Sequence, residues 1–344
     1  MAKEPTILDI ARLAGVSVGT ASNVLNAKPT VNENLTKRVS EAVATLGYHR
    51  NSNAASLRRN QTDMIAVVVP NIENALFAAI VTAIEQLAVA ERKGVTFLTI
   101  GEDQQRAQRQ IHGLVQRRVD GLILTPSFDY LPLVAELEAY NIPVVLVDRV
   151  EAKNSFPSVA VDNRLAGYIG GVHLFVCGYR DIAFVSHGRQ RWILDERREG
   201  FAAAARAANA LDACRFFSLG LDPEEVRVGV LKILRGPNRP RAIFAASNLA
   251  GKGAIPAIQQ LGLRIPEDIA LLVMDDFEAL SLMNPPISVV SQPAREIAET
   301  AWDMLQALIK GKRLKSRHLR LPPSLIVRGS TETASTLKRR ASAP

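Results

Sequence analysis

The sequence predicts an all-α helix-turn-helix head followed by a two-lobed α/β core with parallel sheets. Short helical patterns fill residues 6–47 and are broken by Gly-Val-Ser at 15–17. From about residue 62, continuous Val/Ile/Leu runs alternate with helical stretches, as strands buried on both faces do in βαβ units. That alternation restarts near residue 163. A chain of 344 residues also exceeds what one core usually sustains, so two lobes of similar build are expected.

Thr6 stands as an N-cap with Asp9 in the capping-box position, ahead of Ile7, Ile10, Ala11, Leu13 and Ala14 at helical spacing. Gly15 ends that helix, because glycine enters the left-handed conformation without a Cβ penalty. Ser17 caps a second helix whose inner face is Ala21, Val24 and Leu25, with Val18, Gly19, Ser22 and Asn23 left outward. A third pattern, Leu35, Val39, Ala42, Val43 and Leu46, starts after Asn32 and stops at Gly47. Residues 1–50 therefore read as a helix-turn-helix unit.

YHRNSNAASLRRNQTD (48–63) is polar and small apart from Leu57. It reads as a linker, with residues 51–62 forming at most one or two helical turns that need a packing partner. The core, 63–330, opens with MIAVVVP (64–70), VTFLTI (95–100), GLILTP (121–126) and PVVLVD (143–148). A second series follows: helix 163–178, DIAFVS (181–186), helix 195–209, AIFAAS (242–247), helix 252–261 and ALLVMD (270–275). ISVVSQP (287–293), helix 294–310 and LPPSLIVRGS (321–330) close the pattern. They are placed to cross between the lobes, one about 63–161 with 293–321, the other about 162–290 with 322–330. From Thr331 to Pro344 the chain is polar, and disorder is expected there.

The net charge is +8, and residues 1–60 hold eight Lys/Arg against four acids. A basic end points to a polyanion or to a solvated basic face. No run of 18 apolar residues exists, and the first residues carry acids without an apolar stretch, so neither a membrane span nor export is expected and the cytoplasm is the default. Cys177 and Cys214, without CxxC spacing, suggest neither a disulfide framework nor a zinc cluster. Asp275, Asp276, His173 and His187 could be imagined as catalytic. Yet GxGxxG after the first strand, GxxxxGK[ST] and HExxH are all missing. No catalytic residue, metal or cofactor is expected.

TILDIARLAGVSVGTASNVLN, YHRNSNAASLR, GLILTPS, IPVVLVDR, VAVDNRLAG, DERREGF, LGLRIPEDIALLVMDDFE, PPISVVSQP and LPPSLIVRGS follow one another in order from about residue 6 to 330. Together they resemble the LacI/GalR family of bacterial transcription regulators. The resemblance implies a homodimeric repressor bound to near-palindromic duplex operator DNA, with a core of the periplasmic-binding-protein type holding a small-molecule effector between its lobes. It implies that the second helix lies in the major groove and that the linker becomes a hinge helix, with Leu57 wedged into the minor groove or else covered by a lobe. Val18 offers only apolar contact and Gly19 no side chain, where family members often carry larger groups. Asn23, in the place of a frequent arginine, suits bidentate bonding to adenine or touches a phosphate or water. Ser17, Thr20 and Ser22 suit phosphates or act as caps. Thr6, Asn26, Asn51 and Ala54 complete the expected DNA-facing set.

Ligands of such cores sit at the carboxyl ends of strands. The effector-facing residues expected there are Asn74, Phe77, Ser127, Asp148, Trp192, Arg197, Ser247, Asn248 and Asp275. Arg197 and Asp275 match the family's sites best and bind a ligand or pair in a salt bridge. Trp192 stacks on a sugar ring or packs locally. Such groups suit a small polar metabolite, a sugar, sugar acid or related compound. Val273 and Met274 depart from the family's usual Gly-Phe, and Ala75 and Leu76 from its proline-aromatic pair, so no particular ligand is carried over.

Overall fold

The computed structural model describes residues 5–25, 31–48, 61–101, 103–127, 136–137, 139–150, 156–188 and 191–332, Arg191 by its backbone alone. Asn26, Asn51, Ala54 and Leu57 lie outside these residues. The chain divides into two units, 1–62 and 63–344.

In the first unit, α1 spans Ile7–Ala14, α2 Val18–Leu25 and α3 Glu33–Leu46. The Thr6 N–H and hydroxyl both donate to the Asp9 carboxylate, at 2.9 and 2.6 Å. Gly15 closes α1 at φ 62°, and Arg38 of α3 donates to its carbonyl at 3.1 Å, tying the turn to the third helix. Ile10, Ala11, Ala14, Ala21, Val39 and Ala42 form the small core.

The second unit holds two six-stranded sheets. The first contains β1 (Met64–Val69), β2 (Gly94–Thr99), β3 (Gly121–Leu124), β4 (Val144–Val147), β5 (Ser158–Val161) and β11 (His318–Leu321), in the order β11-β5-β4-β3-β1-β2, all parallel. The second contains β6 (Ile182–Ser186), β7 (Arg215–Ser218), β8 (Ala242–Ala245), β9 (Ala270–Met274), β10 (Ser288–Ser291) and β12 (Ser324–Ile326), in the order β12-β10-β9-β8-β6-β7, with β12 antiparallel. Both orders reverse direction beside their first strand, which opens a crevice at the strands' carboxyl ends.

Each sheet is buried on both faces. Ile65, Val67 and Val69 pack with Trp302 on one side, while Ala66 and Val68 pack with Ile111 and Leu114 on the other. The helices are α4 (Ala75–Ala90), α5 (Gln104–Gln116) and α11 (Ala294–Ile309) on the first sheet. On the second lie α6 (Asn163–Val176), α7 (Arg191–Ala207), α8 (Pro223–Arg235), α9 (Asn248–Gln260) and the short α10 (Glu278–Leu282). The chain therefore passes between sheets after β5, after β10 and after β11.

Elements beyond the sequence expectation include β5, β7, the short α10, β11, and α8 with its Asp222 cap accepting from Glu225 N at 2.9 Å. Order also runs past the expected start of the tail. Thr331 is fully buried in a single turn, Gly329–Thr331, and its hydroxyl meets His173 Nε2 and Ser288 Oγ, each at 2.8 Å.

Candidate functional site

On the recognition side, Ser17, Val18 and Gly19 are exposed at the start of α2, and Thr20, Ser22 and Asn23 are half-buried. Ser17 Oγ accepts from the Thr20 N–H at 3.0 Å, so it is an N-cap in fact. Asn32 caps the following helix by accepting from Asn34 N at 2.8 Å. These caps hold the two helices without consuming Val18 or Gly19.

In the core, one cavity of about 180 Å³ is walled by groups from both sheets. Its frame is a matched pair of carboxylates. Asp148 follows β4 and its N–H donates to Val159 O at 3.0 Å; Asp275 follows β9 and its N–H donates to Val290 O at 2.9 Å. Both backbones are left-handed, at φ 63° and 76°. That conformation costs a non-glycine residue about 1 kcal/mol or more and collects at functional sites. Here it turns each side chain off its strand end.

The two carboxylates are finished differently. Gln292 Nε2 donates to Asp275 Oδ1 at 2.7 Å, while Gln292 Oε1 is buried without a partner among the described residues. Asp148 Oδ2 lies 4.0 Å from Arg149 Nε, whose guanidinium covers the Phe77 ring at 5.2 Å; Asp148 Oδ1 is buried without a partner among the described residues. Burial above all pushes the Asp148 carboxyl above its ordinary range. Arg149 and Arg197 pull it back down, and Asp275 adds to the rise.

Arg197 is a buried cation of the same cavity wall. It is 2% exposed and spends Nε on Asn163 Oδ1 and Nη1 on Ala246 O, both at 2.8 Å. Nη2 is used by neither bond. Its place is set by glycine: a methyl on Gly167 of α6 would overlap the Arg197 carbonyl oxygen and lie 2.7 Å from its carbonyl carbon. Gly200 meets Arg164 in the same way, so the two helices touch backbone to backbone. Asn74 caps α4 by accepting from Leu76 N at 3.1 Å, and Ser247 caps α9 by accepting from Ala250 N at 3.1 Å. Two positive helix ends thus border the cavity. Lys252 Nζ reaches Glu73 O at 3.5 Å, from one sheet's helix to the other sheet's loop.

Of the residues expected at this place, Asn74, Phe77, Asp148, Arg197, Ser247, Asn248 and Asp275 line the cavity. Ser127 and Trp192 do not. Ser127 donates to Gly101 O at 2.7 Å, and Trp192 buries an indole N–H that has no partner among the described residues, while its neighbours Ile193 and Leu194 form the wall. Gln292, His187 and Lys252 join the lining without having been expected there. Gln292 and His187 directly follow β10 and β6, so the same strand-end rule reaches both. Of the acids and histidines that might suggest catalysis, Asp275 and His187 line the cavity, whereas Asp276 is held twice by Arg328, at 2.9 and 2.7 Å, and His173 bonds Thr331. Among the described residues no three His, Cys, Asp or Glu could hold a metal ion, and no helix is long and apolar enough to cross a membrane.

Residues 6–51 match the model for bacterial regulatory proteins of the lacI family, and residues 172–331 match the periplasmic binding protein-like domain. The ribose operon repressor of Haemophilus influenzae is 31% identical over 326 residues, covering 94% of this chain and 98% of that protein. The chain belongs to the lacI family. It is a DNA-binding repressor with an effector-binding core, in a family of regulators and not of enzymes. The HTH-type transcriptional repressor PurR of Escherichia coli O139:H28 is 33% identical over 331 residues, 94% of this chain and 96% of that one. Among solved structures, the lac repressor dimer bound to operator and the anti-inducer ONPF superposes with a TM-score of 0.85 at 25% identity, covering 96% of this chain and all of that one.

Proposed function

We propose that this repressor works in the cytoplasm as a homodimer on a near-palindromic operator, and that a neutral, polyhydroxylated metabolite the size of a monosaccharide sets its operator affinity from the cavity between the lobes. The observation that carries the effector class is the inventory of leftover bonding capacity. Asp148 Oδ1 and Gln292 Oε1 are both buried acceptors without partners among the described residues, which suits a ligand that brings donors to them. Hydroxyls do so without bringing a second negative charge beside Asp148 and Asp275. Arg197 Nη2 then serves a ring or hydroxyl oxygen.

One of the similar repressors is named for the ribose operon, which agrees with a sugar. A flat base finds less support here: the rings on the wall are Phe77, already covered by Arg149, and His187. On the DNA side, Asn23 reads one base of each half-site, Val18 adds apolar contact, and Ser17, Thr20 and Ser22 lie along phosphates. Leu57 wedges the operator centre.

The test is a selection of bound sequences from random duplex DNA with purified full-length protein at fixed salt, alone and with a panel of neutral monosaccharides, sugar acids and purine bases. A near-palindrome whose affinity changes with one neutral sugar is expected. Response to a purine, with none to any sugar, overturns the effector class.

A further inference from the structure

The two sheets present the same edge to opposite fates. Parallel strands put their amino ends, and the carboxyl ends of the helices that precede them, on the side away from the cavity. On the second sheet that edge is balanced: the connections at 177–181, 208–214, 236–241 and 261–269 carry four arginines (180, 239, 241, 264) against four carboxylates (181, 212, 267, 268). Several are ion-paired, as Arg264 is with Asp268 at 3.0 Å and Asp181 with Arg215 at 2.6 Å.

On the first sheet the described connections at 61–63, 91–93, 117–120 and 310–317 carry nine basic residues against Asp63, Glu91 and Asp120. The densest run is Lys310, Lys312, Arg313, Lys315 and Arg317, all exposed. Lys310, Lys312, Arg313 and Lys315 make no ion pair among the described residues. Helix ends alone do not account for this. The carboxyl end of a helix favours a nearby cation, but both sheets have such ends and one of them is neutral.

Spread from β2 to β11, five strand spacings, the basic edge is about 24 Å wide. Asp63, the first residue of the core, is woven into it: its N–H donates to Asp120 Oδ2 at 2.8 Å, and its carbonyl accepts from Gly94 N at 2.8 Å. DNA held by the head is therefore tethered to this edge by residues 49–62, about 50 Å of chain at full stretch. We infer that the amino-end edge of the first lobe is a second DNA-binding surface, in which the 310–317 loop touches backbone phosphates beside the operator. Duplex DNA is the partner the charge and the tether favour. The inference rests on DNA binding by the head and is independent of the effector reading.

The test compares full-length wild type with K310Q/K312Q/R313Q/K315Q and with R206Q/K232Q/R235Q/R239Q, which removes equal charge from exposed positions of the second lobe. Binding to a random-sequence duplex about four helical turns long is followed by fluorescence anisotropy across about 50–200 mM KCl. Every phosphate that the loop neutralises adds about 0.9 to the steepness of the salt slope. The loop variant is expected to have a slope shallower by about 2–4 per protomer and to bind about 10- to 100-fold more weakly. The second-lobe variant should keep the wild-type slope, as should the charge-preserving K310R/K312R/R313K/K315R. Equal slopes for the two glutamine variants, whether both fall or neither does, overturn the proposal. So does capture of the wild type, but not of the loop variant, by vesicles of anionic lipid with no change in DNA slope.

Discussion

Asp148 and Asp275 occupy the same place in two sheets of the same order, each after the fourth strand, each in left-handed backbone, each donating its N–H to the fifth strand. The surroundings separate them. Asp275 has Gln292 at 2.7 Å; among the described residues, Asp148 has a 4.0 Å approach from Arg149 and an oxygen with no partner. One carboxylate is organised by a neighbouring amide, and the other has no such support among the described residues. A repeated fold supplies the positions, and the residues beside them decide how each position is used.

The largest effect should come from breaking the organised side. Asp275→Ala removes an acceptor and strands the buried Gln292 amide, and removing a charged hydrogen-bond partner in such a site costs about 3 kcal/mol. Effector affinity by calorimetry, with the sugar that answers in the selection, should fall about 100-fold, while operator affinity without effector stays near wild type. Unchanged sugar affinity would remove Asp275 from the site.

A smaller effect sharpens the role of Arg197, the buried cation of the cavity wall. Gly167→Ala must push α7 away, since its new methyl overlaps the Arg197 carbonyl. Gly171→Ala, one turn on, meets the Ala204 methyl at 2.8 Å and the Phe201 ring edge at 3.1 Å. Both overpack the same helix pair and should cost about 1–3 kcal/mol of stability. Only the first moves the arginine, so only Gly167→Ala should weaken the effector, by about tenfold. Equal weakening in both variants would reduce the effect to general loosening of α6 against α7.

These tests depend on a site that is only partly legible in the sequence. Strand-end position finds Asp148, Ser247 and Asp275, because buried runs such as ALLVM announce where a strand stops. The family's matching positions find Arg197. Gln292 escapes because SVVSQP looks like a strand running into a proline, and an amide carries no mark of the carboxylate it will hold. Trp192 reads as a large ring in a loop, yet it stands in the first turn of α7 and its neighbours form the wall. In the fold, β7 is hard to see since RFFS is an edge strand, mostly half-buried and led by an arginine, so it lacks the continuous apolar run of the central strands. PEEVRVGVLKILR has helical spacing and a capping Asp222, but it follows that hidden strand and so has no place in the alternation.

The smallest effect concerns the unsupported carboxylate and reads out as protons. Because burial raises the folded-state value of Asp148 above its ordinary 3.8, its contribution to stability is fully present below that pH and is lost as pH rises through the folded value. Above it, a charge sits buried with one oxygen unserved. Asp148→Asn keeps the shape and abolishes the titration. The unliganded variant should therefore melt a few degrees above wild type at neutral pH, with the difference shrinking as pH falls toward about 4. Ligand hydroxyls that donate to Oδ1 favour the ionised form, so effector binding to the wild type should release a proton at a pH where Asp148 is partly protonated. Calorimetry in two buffers of different ionisation enthalpy measures that release directly. In Asp148→Asn it should vanish along with part of the affinity. Proton release that persists in the variant would assign the titration to another group of the cavity and leave Asp148 as a structural twin of Asp275, without the separate use that its unfilled oxygen implies.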